Sequence, residues 1–367
     1  MHSSDKRQFY TNKRVFVTGA CGTIGKELIR QLLEEHQVAE LIGVDNNESE
    51  LFFLEHRFSD FPNARFFLAD VRDVDKMTRK MRHMQIVFHT AAFKHVILCE
   101  RSPYEAVQTN IIGMQNVIRA ATDNKADRVI FTSSDKAVNP TNVMGTSKLM
   151  GERLVTAANS NNRGGRTLYV STRFGNVLGS RGSVIPIFRE QIKRGGPVTL
   201  TNTQMTRFIM SIKEAVRLVI DSAVLARGGE VFITKMPIMK VSDLALVMIS
   251  HLAESFGHCP DSIDIQVIGV KPGEKMYEEL MCSEETRRAL ELPDYFAVLP
   301  AFKSLYANIV YDYPEVVSQT VNTPYHSGND RCLTKAELAD FLIQNDLLHE
   351  DPRLCSHPAE RIWPRGL

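Results

Sequence analysis

Val15-Phe16-Val17-Thr18-Gly19-Ala20-Cys21-Gly22-Thr23-Ile24-Gly25 is the stretch that decides the fold. Its first four residues are β-branched or aromatic and read as a buried strand. The glycines at 19, 22 and 25 stand three apart, and a helical pattern continues through Leu28, Ile29, Leu32 and Leu33. Glycines at a strand-to-helix turn let the backbone approach a pyrophosphate. The helix start, here Thr23 and Ile24, adds free N–H groups and the positive end of a dipole. A glycine triplet alone is a weak signal; a carboxylate in register strengthens it. Asp45 is that carboxylate, ending the run Leu41-Ile42-Gly43-Val44 twenty positions past Gly25. There it can accept hydrogen bonds from the adenosine ribose of NAD and repel the 2′-phosphate of NADP. Its bland use is as a helix cap after a strand.

Strand-like and helix-like segments alternate beyond this point, the pattern of a parallel sheet covered on both faces. The further strands are Arg65-Phe66-Phe67-Leu68-Ala69, Ile86-Val87-Phe88-His89, Arg128-Val129-Ile130-Phe131, Leu168-Tyr169-Val170-Ser171 and Glu230-Val231-Phe232-Ile233. With the first two they make seven, a full doubly wound parallel sheet of the α/β Rossmann class. Asp70 and Val71, closing the third strand, are placed to meet the adenine. Thr90, Ala91 and Ala92, closing the fourth, are small enough for a flat cofactor to lie against the backbone. The expected dinucleotide domain is 10–175 with 205–235, and a smaller substrate lobe takes 176–204 and 236–367.

Composition sets no obstacle to this reading. The chain has 367 residues, 43% hydrophobic and 24% charged, with 44 Lys plus Arg against 43 Asp plus Glu. That is the size of one large or two joined domains. A net charge of +1 recommends neither nucleic acid nor an anionic membrane as partner. No apolar run approaches the roughly 20 residues that span a bilayer, and no signal core follows Met1, so the expectation is a cytoplasmic protein. The six cysteines form no CxxC pair; they read as free thiols, and no metal site is expected.

A second stretch carries the chemistry: Thr132-Ser133-Ser134-Asp135-Lys136, then Met144-Gly145-Thr146-Ser147-Lys148. Lys148 follows Met144 by four residues, and none of the nine tyrosines has a lysine at that spacing. In short-chain dehydrogenases a tyrosine precedes the lysine by four. Methionine can neither give nor take a proton. The pair lies one helical turn apart on one face, which sets a catalytic-face reading of Met144 beside that of a core methionine. Past Arg173 the texture turns glycine-rich and polar through Phe174 to Ser183, then helix-like from Val184. Lobes added at the carboxyl ends of such a sheet bind substrate. Arg207, and Lys271 in the charged turn Lys271-Pro272-Gly273-Glu274-Lys275, suit a diphosphate or are plain solvated charges.

These motifs, with Ala91-Ala92-Phe93-Lys94-His95-Val96, Thr109-Asn110, Arg173-Phe174-Gly175-Asn176-Val177-Leu178-Gly179-Ser180 and Pro272-Gly273-Glu274-Lys275, together resemble the extended short-chain dehydrogenases. Within these they look like the bacterial UDP-N-acetylglucosamine 4,6-dehydratases, over roughly residues 12 to 330. The large members of that group carry membrane helices ahead of the catalytic domain, and this sequence shows none. Soluble C5-inverting members keep the tyrosine; Met144 resembles the configuration-retaining members.

The resemblance implies a bound NAD, held also by Lys94, Asn110 and Lys148, and a UDP-sugar met by Lys94, His95, Arg173, Asn176, Val177, Arg181, Arg207, Lys271 and Glu274. It implies a homodimer or larger. The implied reaction takes a hydride from C4, acidifies the C5 proton beside the new carbonyl, loses water across C5 and C6, and returns the hydride to C6. Ser134 is placed to hydrogen-bond O4. Asp135 is assigned the proton to the C6 hydroxyl and Lys136 the C5 proton, the exchange of these two roles staying open. Either Asp135 or a water in the space of the absent phenol takes the O4 proton. A 4-epimerase and a non-catalytic NAD-binding protein are the rival readings.

Overall fold

The computed structural model describes residues 3–161, 167–180, 183–270, 273–302 and 309–348. The chain divides into two compact units. The first comprises Met1–Phe174, Lys213–Lys235 and Glu279–Tyr325. Its sheet is built from β1 (Arg14–Thr18), β2 (Glu40–Asp45), β3 (Ala64–Leu68), β4 (Ile86–His89), β5 (Arg128–Thr132), β6 (Leu168–Arg173), β7 (Val231–Thr234), β8 (Ala289–Glu291) and β9 (Tyr295–Val298). Their spatial order is β8-β9-β7-β6-β5-β4-β1-β2-β3.

The seven expected strands are all present and pair in parallel. Strand order reverses between β1 and β4, the switch point where crevices of doubly wound sheets open. Each strand is apolar on both faces because helices cover both. On one face Phe16, Val129 and Phe131 pack with Met77, Met114 and Val155 from the helices, all at most 2% exposed. Each such side chain contributes about 1.5–3 kcal/mol by leaving water.

Two strands of this sheet were not expected. β9 pairs antiparallel with β7, and β8 antiparallel with β9, so residues 279–325 belong to the first unit and not to the lobe. The linking turn is short, closed by Leu292 N–H donating to the Tyr295 carbonyl at 2.8 Å. Residues 205–212 move the other way. The strand Thr206–Met210 pairs with Ile238–Lys240 and with Asn176–Val177, all in the second unit, which comprises Gly175–Ile212, Met236–Glu278 and His326–Leu367. That unit has its own core, in which Phe188, Leu244, Met248 and Leu338 are buried.

Candidate functional site

The glycine turn after β1 is a close-packed backbone crossing. Gly19 has φ +70°, a left-handed conformation, and a Cβ on it would lie 2.6 Å from the Ala91 nitrogen. A Cβ on Gly25 would press into the Gly19 carbonyl, 2.9 Å from its carbon. The helix Thr23–Glu34 therefore starts directly against the turn, with no side chain capping it, and its first N–H groups have no acceptor within the helix.

Asp45 closes this cradle. Its Oδ2 accepts from Cys21 N–H at 2.9 Å and its Oδ1 from Asn47 N–H at 3.0 Å. The helix that follows is capped by Asn47, which accepts from Glu50 N–H, so capping is not the use of Asp45. Asp70 pairs with Arg72 at 2.7 Å, and that hydrogen bond holds its carboxyl below the usual carboxylate range. Val71 beside it is buried.

Between β1, β4 and β5 lies a buried polar chain. Thr18 Oγ1 and His89 Nδ1 are 2.7 Å apart, Ala91 N–H donates to Thr18 Oγ1 at 3.4 Å, and Thr132 Oγ1 donates to the His89 carbonyl at 3.1 Å. Burial, reinforced by the charge of Lys148, pushes the His89 imidazole down to about 3. It is neutral at physiological pH. Nothing in the sequence marks this histidine except its place at a strand's carboxyl end.

The turn after β5 forms as Asp135–Ala137, a single 3₁₀ turn that Ser134 starts. Asp135 is 4% exposed, yet it accepts from Ser134 Oγ at 2.5 Å and from Lys136 Nζ at 3.0 and 3.2 Å. Its N–H donates to the Phe174 carbonyl at 3.2 Å, continuing the β5–β6 ladder. Hydroxyl, carboxylate and ammonium are thus linked in one contiguous turn. The helix Val143–Asn161 abuts it at Gly145, where a Cβ would collide with the Lys136 carbonyl.

Lys148 projects from that helix under the sheet. Its Nζ donates to the Thr132 carbonyl at 2.8 Å and lies 4.9 Å from the centre of the Phe131 ring. Burial holds its pKa down, to about 8. Met144, one turn earlier, does not line a catalytic face. It is 3% exposed and packs with Cys99 and Ala106 in a small apolar cluster. Position 144 therefore offers no phenol and no proton chemistry.

Asn110 also departs from its expected cofactor contact. Its Oδ1 accepts from Phe93 N–H at 2.8 Å, and its Nδ2 donates to the Phe93 carbonyl at 3.0 Å and to Ser147 Oγ at 2.8 Å. It fastens the loop after β4 to the helix bearing Lys148, from a π-helical turn at Val107–Ile112. Lys94 and His95 are exposed on that loop. Arg173 does not meet substrate as expected either: it is 1% exposed and bound to Glu152 and Glu285, out of reach of a ligand.

In the second unit Asn176 donates to both oxygens of Glu278 at 2.9 and 3.0 Å. Arg207 lies 3.3 Å from Glu278 and 3.6 Å from Glu274. Val177 is buried in its two-residue strand. Arg181 and Lys271 lie outside the described residues.

A sheet of this order, with a serine-led turn after β5 and a buried lysine on the following helix, is the architecture of the extended short-chain dehydrogenases. The model of the polysaccharide biosynthesis protein family matches residues 15–300, and the chain belongs to that family. A Methanocaldococcus jannaschii protein, described as an uncharacterized membrane protein, is 50% identical over 81% of this chain and 88% of its own. The UDP-N-acetylglucosamine 4,6-dehydratase (inverting) of Campylobacter jejuni is 37% identical over 80% of this chain and 85% of its own. The UDP-glucose 4-epimerase of Rickettsia canadensis is 34% identical over 93% and 98%.

Among solved structures, Pen from Bacillus thuringiensis superposes with a TM-score of 0.85 at 40% identity, covering 93% of this chain and 100% of that one. Two other relatives are about twice as long. The match covers 46% of the capsular polysaccharide biosynthesis protein CapD of Staphylococcus aureus and of the probable polysaccharide biosynthesis protein EpsC of Bacillus subtilis. Among the described residues, no helix is long and apolar enough to cross a membrane.

Proposed function

We propose that the protein is an NAD-dependent 4,6-dehydratase of a nucleotide-activated N-acetylhexosamine, with UDP-N-acetylglucosamine as substrate and retention at C5. The observation that carries this reading is the Ser134-Asp135-Lys136 turn: one buried carboxylate bonded to a hydroxyl on one side and an ammonium on the other. A simple oxidation or a 4-epimerisation needs one acid–base group at O4. Elimination across C5 and C6 needs an acid and a base besides.

The first unit fits NAD. The Cβ-free crossing at Gly19 and Gly25 and the uncapped helix start suit a pyrophosphate, and the Asp45 carboxylate suits a ribose diol. When bound, NAD supplies the hydride acceptor for C4 and the hydride donor for C6. Ser134 passes the O4 proton to Asp135 along their 2.5 Å bond. Lys136, having first released its ammonium proton to solvent as Asp135 is neutralised, takes the C5 proton, which the 4-keto group has acidified. Asp135 then gives its proton to the leaving C6 hydroxyl, so the O4 proton departs in the water. Lys136 returns the C5 proton to the face it came from. The turn makes the O4, C5 and C6 proton transfers without a tyrosine. Lys148 holds the nicotinamide ribose, and its charge eases loss of the O4 proton. Arg207 serves the diphosphate as a cation of the second unit. Retention at C5 rests on the sequence likeness at position 144, since the Met144 side chain itself packs inward.

Purified protein given UDP-N-acetylglucosamine without added reductant is expected to form a product lighter by one water, with no NADH accumulating. After reduction, proton couplings should report the D-xylo 4-keto sugar. The C5 epimer would overturn retention alone. UDP-N-acetylgalactosamine as the sole product would move the assignment to an epimerase, and no turnover of any nucleotide sugar would favour a binding protein.

Asp45 tests the cofactor separately. Losing a charged acceptor at the ribose should cost about 1.5–3 kcal/mol, so Asp45→Ala should weaken NAD by roughly 10- to 100-fold and NADP less. NADP extracted from the purified protein would contradict this use of the carboxylate.

A further inference from the structure

Arg173 is enclosed, and all five of its N–H donors are spent. Nε and Nη2 donate to the two oxygens of Glu152 at 2.8 and 2.6 Å, and Nη1 and Nη2 to the two oxygens of Glu285 at 2.8 Å each. The remaining Nη1 donor meets the Leu280 carbonyl at 2.9 Å. Forked pairs of this kind are among the strongest hydrogen-bonded contacts a carboxylate makes.

Glu152 stands one helical turn beyond Lys148, on the same face of the helix Val143–Asn161. Titratable groups that act on Lys148 include His89 from β4, Cys99 from the helix Val96–Arg101 and Glu152 from its own helix, while the turn bearing Asp135 and Lys136 packs against that helix. His89 is neutral, and burial holds the Cys99 thiol protonated. Glu152 is the carboxylate that shares its helix face with Lys148. Even so, Lys148 gives its hydrogen bond to a neutral acceptor, the Thr132 carbonyl. Each oxygen of Glu152 instead accepts from Arg173, which orients the carboxylate.

We propose that Arg173 is a positioning residue for the candidate site: by holding Glu152 in a two-point clasp, it keeps that carboxylate from pairing with Lys148. The ammonium then remains available to ligand hydroxyls, and Glu285 anchors the guanidinium from its far side. This rests on the reading of Lys148 as a site lysine. Removing Arg173 would free Glu152 to capture Lys148, which would then hold its proton more tightly and have fewer donors to offer.

The test is a titration of the Lys148 Nζ by ¹⁵N NMR in lysine-labelled protein without substrate, the signal being identified by its loss in Lys148→Met. An opposite charge brought within about 4–6 Å moves a pKa by about one unit or more. Arg173→Met should therefore raise the midpoint by about one unit or more, and Arg173→Met/Glu152→Gln should bring it back to the wild-type value. Arg288, 3.9 Å from Glu285, keeps that carboxylate paired in both variants.

Arg173→Lys, which keeps the charge but not the fork, should fall between. If circular dichroism shows Arg173→Met unfolded, Arg173→Lys and Glu152→Gln decide the matter: an upward shift in the first and an unchanged or lower midpoint in the second support the clasp. A folded Arg173→Met with an unmoved midpoint overturns it, as does a double variant whose midpoint stays raised. Failure of the dehydratase reading would appear as absent turnover and would leave this titration untouched.

Discussion

Asp135→Asn is expected to lower elimination by roughly 10²-fold or more, on the usual scale for a lost general acid, while NAD stays bound. The amide keeps the shape of the side chain but cannot be protonated, so the proton received through Ser134 at 2.5 Å has no carrier to the C6 hydroxyl. It also leaves Lys136 without the carboxylate now 3.0 Å away. The effect should fall on the chemical step and spare nucleotide-sugar affinity. Lys136→Ala separates the other role: C4 oxidation remains possible, and exchange of the C5 proton with deuterated water stops. Normal exchange in Lys136→Ala would mean that another group is the base. Undiminished elimination in Asp135→Asn would remove this carboxylate from the mechanism.

Gly25→Ala should cost the cofactor most. The added Cβ points into the Gly19 carbonyl group, 2.9 Å from its carbon and 3.0 Å from Ala20 Cα. Both are backbone atoms that cannot rotate away. Overpacking of this kind costs about 1–3 kcal/mol. Because it displaces the helix start that meets the pyrophosphate, NAD affinity should fall by roughly 10- to 100-fold or more. The NAD-free variant should lose stability on the same scale, so NAD affinity is measured below its unfolding temperature, on folded protein. Equal NAD affinity in the variant would show that this turn does not hold the cofactor.

Much of this was legible in sequence because it is local. β1, the glycine turn and the helix Thr23–Glu34 are consecutive, so apolar period, glycine spacing and helix start all lie inside one window. The seven parallel strands are apolar runs because each is covered on both faces. Ser134, Asp135 and Lys136 are adjacent in sequence, so their contact needs no fold to bring them together. The sheet's antiparallel edge was not legible. Ala289–Glu291 and Tyr295–Val298 are three and four residues long, too short to show a period, and they fall in a stretch expected to form the lobe.

What the sequence determined by itself is the order of strands and helices, the glycine cradle with Asp45, and the Ser134-Asp135-Lys136 turn. Tertiary structure alone decided the uses of Arg173, Met144 and Asn110. Arg173 beside a glycine-rich loop looks like a cation awaiting a phosphate, but its carboxylates are 21 and 112 residues away in the chain. Met144 shares a helix face with Lys148, and only packing against Cys99 and Ala106 turns it inward. Asn110 has four hydrogen-bonding positions that could serve a cofactor; Phe93 and Ser147 claim three of them because the loop after β4 and the lysine helix meet there. A buried polar group goes to whatever partner the fold encloses with it, since leaving it unpaired costs about 1–3 kcal/mol. Residue type and spacing cannot name that partner when it arrives from a distant segment.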